Sequence, residues 1–208
     1  MSHLALVGDG ILANGAHTGR EPDTASVIRQ LLPEWKVSLL AAEGSSLATV
    51  ASQLKQLSAD VDLVVLSIGG NDAMQHVDLL EQPTKSSGET LDALVGMVDE
   101  FAAGFDPVAK SVRDRAPRLV VCTIYEPPLV GLNTASRARV LLTLLNDHIL
   151  RSAYRWELDV LDLRAICNSP GDFRLQIAPS ATGAAKIGRA IAGIAAGTGG
   201  RTVTVIAG

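Results

Sequence analysis

Short apolar runs alternate with longer periodic segments along the whole chain. Five runs are nearly continuous in apolar residues and have the length of strands: residues 3–8, 36–42, 61–69, 118–125 and 157–164. Runs of this kind are typical of strands covered on both faces, as in a parallel sheet. The pattern therefore predicts five strands of one parallel sheet.

The segments between these runs have helical spacing. Apolar residues share one helical face within 47–57 and within 91–105, and residues 134–154 and 183–196 predict two further helices. Pro107 is expected to open another short helix, because proline suits the first helical turn. The alternation predicts an α/β fold with three α/β/α layers, a flavodoxin-like parallel sheet of about five strands.

Length and composition fit this prediction. The chain has 208 residues, of which 47% are hydrophobic and 19% charged, enough to bury a substantial core. We expect a single domain over residues 1–196 and a glycine-rich tail over 197–208. The stretch 79–90 is the most loop-like insertion and could form a lid over a site.

Charge and motif content exclude several classes of function. The net charge is −4 and no Lys/Arg cluster occurs, which argues against nucleic-acid partners. No basic amphipathic helix or long apolar run indicates a membrane partner. His and Cys residues lack metal-ligand spacing, and no phosphate-binding motif occurs, so we expect neither a metal nor another cofactor. No oligomeric state is predicted.

Two cysteines and the start of the chain bear on location. Cys122 and Cys167 are far apart and form no CxxC pair, which is typical of reduced thiols in a cytosolic protein. The start "MSHLALVGDG" has no basic region and only a short apolar run, unlike a signal peptide. A cytoplasmic location is therefore expected.

Three strand ends carry glycine-rich polar turns. These are Gly8-Asp9-Gly10, the stretch "AEGSS" at 42–46 and the stretch "GGND" at 69–72. In this order they resemble the SGNH/GDSL hydrolase family, which usually reads Gly-Asp-Ser, then a glycine, then Gly-x-Asn-Asp after its first three strands. The resemblance extends to the last helix and implies that family's fold.

The resemblance also implies which catalytic groups are changed. The family's last block is Asp-x-x-His followed by Pro and Gly, and here Pro179 and Gly183 keep that spacing within "LQIAPSATG". This places Leu175 at the acid position and Ala178 at the histidine position. Gly10 stands where the family has its nucleophilic serine. A Ser-His-Asp mechanism is therefore not expected.

The resemblance leaves the oxyanion half of the site in place. It implies that the backbone N–H groups of Gly10 and Gly44 and the side chain of Asn71 can stabilise negative charge on a carbonyl oxygen. Asn71 could instead cap the helix that follows it. The implied ligand is a small molecule with a carbonyl or ester group.

Four titratable residues are candidates for proton transfer or ligand contact. Asp9, Asp72 and His17 are candidate acids or bases, and Glu126 follows the fourth predicted strand as a candidate ligand contact. Each also has an ordinary interpretation: the aspartates can hold turns, and His17 can be a solvated loop residue.

Three functions stay open on the sequence alone. The first is a noncanonical member of the family that performs acid–base or electrostatic chemistry on a carbonyl compound without hydrolysis. The second is a pseudoenzyme that binds a carboxylate, an ester or an acylated partner. The third is an esterase or lipase inactivated by glycine in place of serine at Gly10.

Overall fold

A computed structural model describes residues 1–130 and 134–198 of the chain. Its main sheet has five parallel strands in the order β2-β1-β3-β4-β5, which confirms the predicted sheet. The strands are β1 His3–Gly8, β2 Lys36–Leu39, β3 Leu63–Ser67, β4 Arg118–Cys122 and β5 Asp159–Leu161. β1 has the bounds of its apolar run, and the other four strands end earlier than theirs, because the chain turns into the loops above the sheet.

Helices connect the strands and cover both faces of the sheet. They are α1 Thr24–Leu31, α2 Val50–Leu54, α3 Gly70–Gln75, α4 Ser87–Arg113, α5 Thr134–Trp156, α6 Leu163–Ile166 and α7 Ala181–Ala195. Short 3-10 helices occur at Gly15–His17, Leu47–Thr49, Val77–Leu80 and Pro170–Asp172. A small antiparallel pair, β6 Phe173–Arg174 and β7 Ala178–Pro179, precedes α7.

Alternate residues of each strand supply two separate cores. In β1, Ala5 and Val7 pack in the cluster that includes residues of α2, α4 and α5. Leu4 and Leu6 point the other way and join residues of α1 and α7. Period-two alternation in strands buried on both faces thus builds the three predicted layers.

The prediction at Pro107 is wrong. Pro107 lies inside α4 and opens no new helix. The buried residues Phe105, Ala109 and Val112 continue one apolar face across it. Pro107 and Ala103 are both exposed, so the carbonyl left without its helical donor can bond to water. Tertiary packing therefore outweighs the proline.

The segment 79–90 is only partly a loop. Val77–Leu80 forms a 3-10 helix, and Leu79 and Leu80 pack against the core. The helix α4 begins at Ser87, and the Ser86 side chain caps it by accepting a hydrogen bond from the Glu89 N–H. Of the expected tail, residues 199–208 lie outside the described part of the chain.

Close helix packing holds α7 against α1. An added Cβ at Gly188 would lie 2.7 Å from Val27 Cγ1, so glycine permits this approach. The contact lies at the middle of α7 and holds that helix against α1. Within residues 1–130 and 134–198, no helix combines the length and apolarity needed to cross a membrane.

Candidate functional site

A cavity of about 350 Å³ opens at the carboxyl ends of the central strands. Its polar side chains are those of Asp9, His17, Glu43, Asn71 and Tyr125. Much of its wall is apolar and includes Met74, Val77, Leu80, Leu129, Leu141 and Leu142. Such a cavity suits a small molecule with an apolar body and a polar head.

The end of β1 places Asp9 at the base of this cavity. Gly8 has a φ of +123°, and a Cβ there would lie 1.8 Å from the Ser67 carbonyl oxygen, so only glycine fits. The Gln53 side chain bonds both backbone groups of Gly8, at 2.7 Å and 2.8 Å. The Asp9 N–H then donates to the Ser67 carbonyl at 2.8 Å. These contacts fix the turn that carries Asp9.

Asp9 is buried, and among the residues that the structure describes no cation pairs with it. Its side chain is 2% exposed. Oδ1 accepts hydrogen bonds from the Ile11 N–H at 3.1 Å and from Ser67 Oγ at 3.2 Å. Among the hydrogen bonds of the described residues, Oδ2 accepts none. Burial raises the pKa of Asp9 to about 7, the nearby Asp72 acts in the same direction, and the two hydrogen bonds oppose the rise only in part. Asp9 therefore exchanges its proton near neutral pH.

The three predicted oxyanion donors all line the cavity: Gly10, Gly44 and Asn71. In the part of the chain that the structure describes, neither the Gly10 N–H nor the Gly44 N–H donates a hydrogen bond to the protein. Asn71 Nδ2 donates to the Ser45 carbonyl at 2.7 Å, which orients the amide and leaves its second hydrogen. The cavity thus contains N–H groups that a carbonyl oxygen could accept.

Gly10, Leu175 and Ala178 also line the cavity. A Cβ at Gly10 would lie 3.6 Å from Glu43 Cα, an ordinary contact, so the fold itself does not require glycine there. Leu175 lies between β6 and β7 with a φ of +50° and is 76% exposed. Among the lining residues that the structure describes, no serine, threonine or cysteine offers a hydroxyl or thiol.

His17 reaches the cavity as a partner of Glu43. Its Nε2 lies 2.8 Å from Glu43 Oε1, and both residues line the cavity. Sequence reasoning missed Glu43, and it also missed Tyr125, whose hydroxyl donates to the Ile177 carbonyl at 2.5 Å. Both follow the carboxyl ends of strands, which is the only signal that could have indicated them.

Two predicted site residues are placed elsewhere. The Asp72 carboxylate accepts hydrogen bonds from the Leu47 N–H at 3.1 Å and 3.2 Å, and it is not among the lining residues of the cavity. Burial raises the pKa of Asp72. Glu126 lines a smaller neighbouring pocket and forms an ion pair with Arg139 at 3.4 Å. Asp72 therefore joins α3 to the 3-10 helix Leu47–Thr49, and Glu126 faces outward to a cation.

The sequence pattern of the GDSL-like lipase/acylhydrolase family matches residues 6–186. The chain belongs to this family. No protein with a curated description matches the sequence.

Solved structures of similar fold agree with this membership. An extracellular lipase from Streptomyces rimosus is 16% identical with a TM-score of 0.69, covering 94% of this chain and 100% of that one. A lipase from goat rumen metagenome is 14% identical with a TM-score of 0.73, covering 96% and 99%. An acetyl xylan esterase from Geobacillus stearothermophilus is 17% identical with a TM-score of 0.67, covering 97% of both chains. At these identities the likeness establishes the fold.

This GDSL-family chain has a Ser-His-Asp cluster away from the cavity. Ser152 Oγ donates to Asp106 Oδ1 at 2.6 Å, and His148 Nε2 lies 2.9 Å from the same oxygen and 3.3 Å from Ser152 Oγ. A catalytic triad uses opposite ring nitrogens for the acid and the serine. Here one nitrogen meets both, and Ser152 is fully buried, so the cluster joins α4 to α5.

The cysteines of this family member give no nucleophile. Cys122 and Cys167 are buried free thiols. Burial raises the pKa of Cys167 to about 12 and that of Cys122 further still. Within the described ranges, no group of three His, Cys, Asp or Glu side chains could hold a metal ion.

Proposed function

We propose that this GDSL-family protein performs non-hydrolytic acid–base chemistry on a small carbonyl compound. One observation carries the proposal: Asp9 is a buried acid that no cation of residues 1–130 and 134–198 pairs with, and it lines the same cavity as the Gly10 and Gly44 N–H groups and the Asn71 amide. An acid that titrates near neutral pH beside donors for a carbonyl oxygen is suited to proton transfer.

The residues at the family's catalytic positions argue against serine hydrolysis. Gly10, Leu175 and Ala178 stand where the resemblance puts the serine, the acid and the histidine. None of these side chains can attack a carbonyl carbon or move a proton. Acyl transfer through a covalent intermediate needs both functions. The proposal therefore includes the loss of the Ser-His-Asp triad.

The remaining groups can stabilise an enolate. When a proton leaves the carbon next to a carbonyl, negative charge develops on the carbonyl oxygen, as it does in ester hydrolysis. The N–H groups of Gly10 and Gly44 would hold that oxygen. Asp9 in its neutral form would donate a further hydrogen bond through Oδ2, a role that buried carboxylic acids can fill when burial raises their pKa. The apolar wall would hold an alkyl or aryl body.

Exchange of α-protons with solvent tests this proposal without knowledge of the full reaction. The protein is incubated in D₂O with medium-length alkyl and aryl ketones, aldehydes and 2-oxo acids, and loss of the α-proton signal is followed by NMR. We expect exchange above the buffer rate with at least one compound. We expect Asp9→Asn to slow that exchange about 100-fold, the lower end of general acid–base contributions, because an amide N–H, unlike the carboxylic O–H, cannot transfer its proton to the enolate oxygen.

The matched control is Asp106→Asn, which changes an aspartate remote from the cavity and leaves exchange unchanged. Exchange at the buffer rate with every compound would contradict the proposal. So would full exchange by Asp9→Asn. Thermal stabilisation by a carboxylate or ester without exchange would favour the pseudoenzyme instead.

The inactivated esterase is a second candidate, because a Cβ fits at Gly10 with its nearest contact at 3.6 Å. We expect Gly10→Ser alone to leave hydrolysis of an activated aryl ester at the background rate, since no base stands at Ala178. Adding Leu175→Asp and Ala178→His should produce measurable hydrolysis. Hydrolysis by Gly10→Ser alone would favour the inactivated esterase.

We also propose a cytoplasmic location. The buried free thiols of Cys122 and Cys167 support it, because reduced cysteines are typical of reducing compartments. Fractionation of the source cells tests this: recovery in the cytosolic fraction is expected, and recovery in the medium would contradict it.

A further inference from the structure

We propose that His17 is the base of this cavity and that Glu43 is its positioning residue. The inference rests on the proposed function and adds the group that removes the proton. Asp9 cannot be that base, because the neutral form that stabilises an enolate oxygen cannot also take a proton from carbon. A second titratable group on the same cavity is needed.

The pair is built from two separate elements. His17 ends the 3-10 helix Gly15–His17 that follows the Asp9 turn. Glu43 lies in the loop after β2, directly before Gly44. Glu43 Oε1 lies 2.8 Å from His17 Nε2. The His17 side chain is 16% exposed and that of Glu43 is 59% exposed, so the pair stands at the cavity mouth.

The hydrogen bond selects one form of the imidazole. A carboxylate only accepts hydrogen bonds, so the hydrogen of neutral His17 resides on Nε2. Nδ1 then carries the lone pair, and within the described residues it accepts no hydrogen bond. A histidine that donates one ring N–H to a carboxylate is held in one tautomer and one orientation. Nδ1 is therefore the atom that takes the proton.

Glu43 also packs over the residue whose N–H would hold the carbonyl oxygen. Its Cα and Cγ each lie 3.6 Å from the position of a Cβ at Gly10. A carbonyl group held by the Gly10 N–H is consequently next to the His17–Glu43 pair. Asp9 directly precedes Gly10 and is buried, whereas the His17–Glu43 pair is partly exposed. The carbonyl would lie between a buried acid and a partly solvated base.

The proton-transfer step balances without a further reactant. His17 Nδ1 takes the proton from the α-carbon. The electron pair of the broken C–H bond forms the C=C bond, and the carbonyl π pair moves to oxygen. The N–H groups and neutral Asp9 stabilise that oxygen, and Glu43 stabilises the imidazolium. Return of a proton to carbon completes exchange or isomerisation.

The test compares histidine variants in the D₂O exchange assay. We expect His17→Ala to slow exchange about 100-fold, and added imidazole to restore part of the rate in proportion to its concentration, because a missing general base can be replaced by one in solution. We expect Glu43→Gln to lower kcat about tenfold with little change in KM, since its effect acts through His17.

His76 supplies the matched control. It pairs with Glu100 at 3.7 Å, and neither residue is among the lining residues described for the cavity. His76→Ala should exchange as fast as the wild type and should not respond to imidazole. The inference would be overturned if the His17→Ala variant exchanged at the wild-type rate. It would also be overturned if the variant were slow and imidazole failed to restore its exchange rate.

The two proposals fail in different ways. Suppose that the wild type exchanges the α-proton, that the Asp9→Asn variant is slow and that the His17→Ala variant is as fast as the wild type. The proposed function then stands, and the role of His17 is overturned. If the wild type exchanges no compound above the buffer rate, both are overturned.

Discussion

Two buried aspartates of this protein have opposite surroundings. Asp172, 1% exposed, accepts at Oδ2 from Lys186 Nζ at 2.7 Å, from the Ser169 N–H at 3.0 Å and from the Asn168 N–H at 3.1 Å. Asp9, 2% exposed, accepts two hydrogen bonds at Oδ1 from uncharged groups. Similar burial thus goes with full charge compensation in one case and little in the other.

The difference separates a structural acid from a chemical one. At Asp172 the cation and two backbone donors fix the turn that leads into α7. At Asp9 the anion is costly, because burial without a cation favours the neutral acid. Burial alone therefore does not show the role of an aspartate. The hydrogen-bond and charge partners of its carboxylate oxygens do.

The largest expected effect comes from removing the charge of Asp172. Asp172→Asn leaves the Lys186 ammonium, which is 33% exposed, without its carboxylate. We expect the free energy of unfolding to fall by about 3 kcal/mol, the low end for a broken buried ion pair because Lys186 is partly solvated. Urea denaturation near neutral pH measures it.

The exposed pair of Lys110 and Asp114 is the control for that variant. Its N···O distance is also 2.7 Å, but solvent screens it. Asp114→Asn should unfold like the wild type. An equal small change in both variants would show that the Lys186 contact compensates no buried charge, and the comparison would fail.

Removing the charge of Asp9 should have the opposite sign. The pKa of Asp9 is about 7 in the folded protein against an ordinary value of 3.8. The folded state therefore holds the extra proton between these values, and stability is lost as pH rises through that window. Asp9→Asn keeps an oxygen for Ile11 and Ser67 and cannot ionise.

We accordingly expect Asp9→Asn to be more stable than the wild type at pH values of about 8, and close to it at about pH 4. Thermal unfolding across this range measures the difference. A constant offset at every pH would contradict a raised pKa at Asp9.

The main sheet and the long helices could be predicted because their apolar periodicity is strong. The apolar runs located all five strands of the main sheet, and the long helices α4, α5 and α7 followed from their apolar faces. Pro107 was misjudged, because a local preference was weighed without the buried face that continues past it. The short helix α6 has too few residues for a periodic signal.

The site was predictable only where a motif marks the backbone. Gly10, Gly44 and Asn71 reach the cavity as their strand-end motifs indicated. Asp72 does not, because the choice between the cavity and the Leu47 N–H depends on loop geometry. The contact of His17 with Glu43 joins residues 26 positions apart, and no local pattern encodes it.

A hydroxyl beside Oδ2 should make Asp9 more like Asp172. A Cβ at Gly70 would lie 3.7 Å from Asp9 Oδ2 with no other contact within 4 Å. We expect Gly70→Ser to lower the pKa of Asp9 by about one unit, since a hydrogen bond to an ionised group stabilises it by about 1.5 kcal/mol. An NMR titration measures this. Gly70→Ala, which adds the carbon without the donor, should leave the pKa where it is.

The smallest effect should come from removing a donor that Asp9 already has. Ser67 Oγ donates to Oδ1 and opposes the rise of the pKa. Ser67→Ala should raise the pKa of Asp9 by less than about one unit, because the Ile11 N–H still donates. A pKa that falls in this variant would show that Ser67 does not stabilise the anion.

The central claim is that Asp9 is an uncompensated acid that exchanges its proton near neutral pH. Titration of its side-chain carboxyl carbon by NMR tests this most directly, with Asp9→Asn used to assign the resonance. The account predicts a midpoint near 7. A midpoint near 4, the ordinary value for an aspartate, would contradict it.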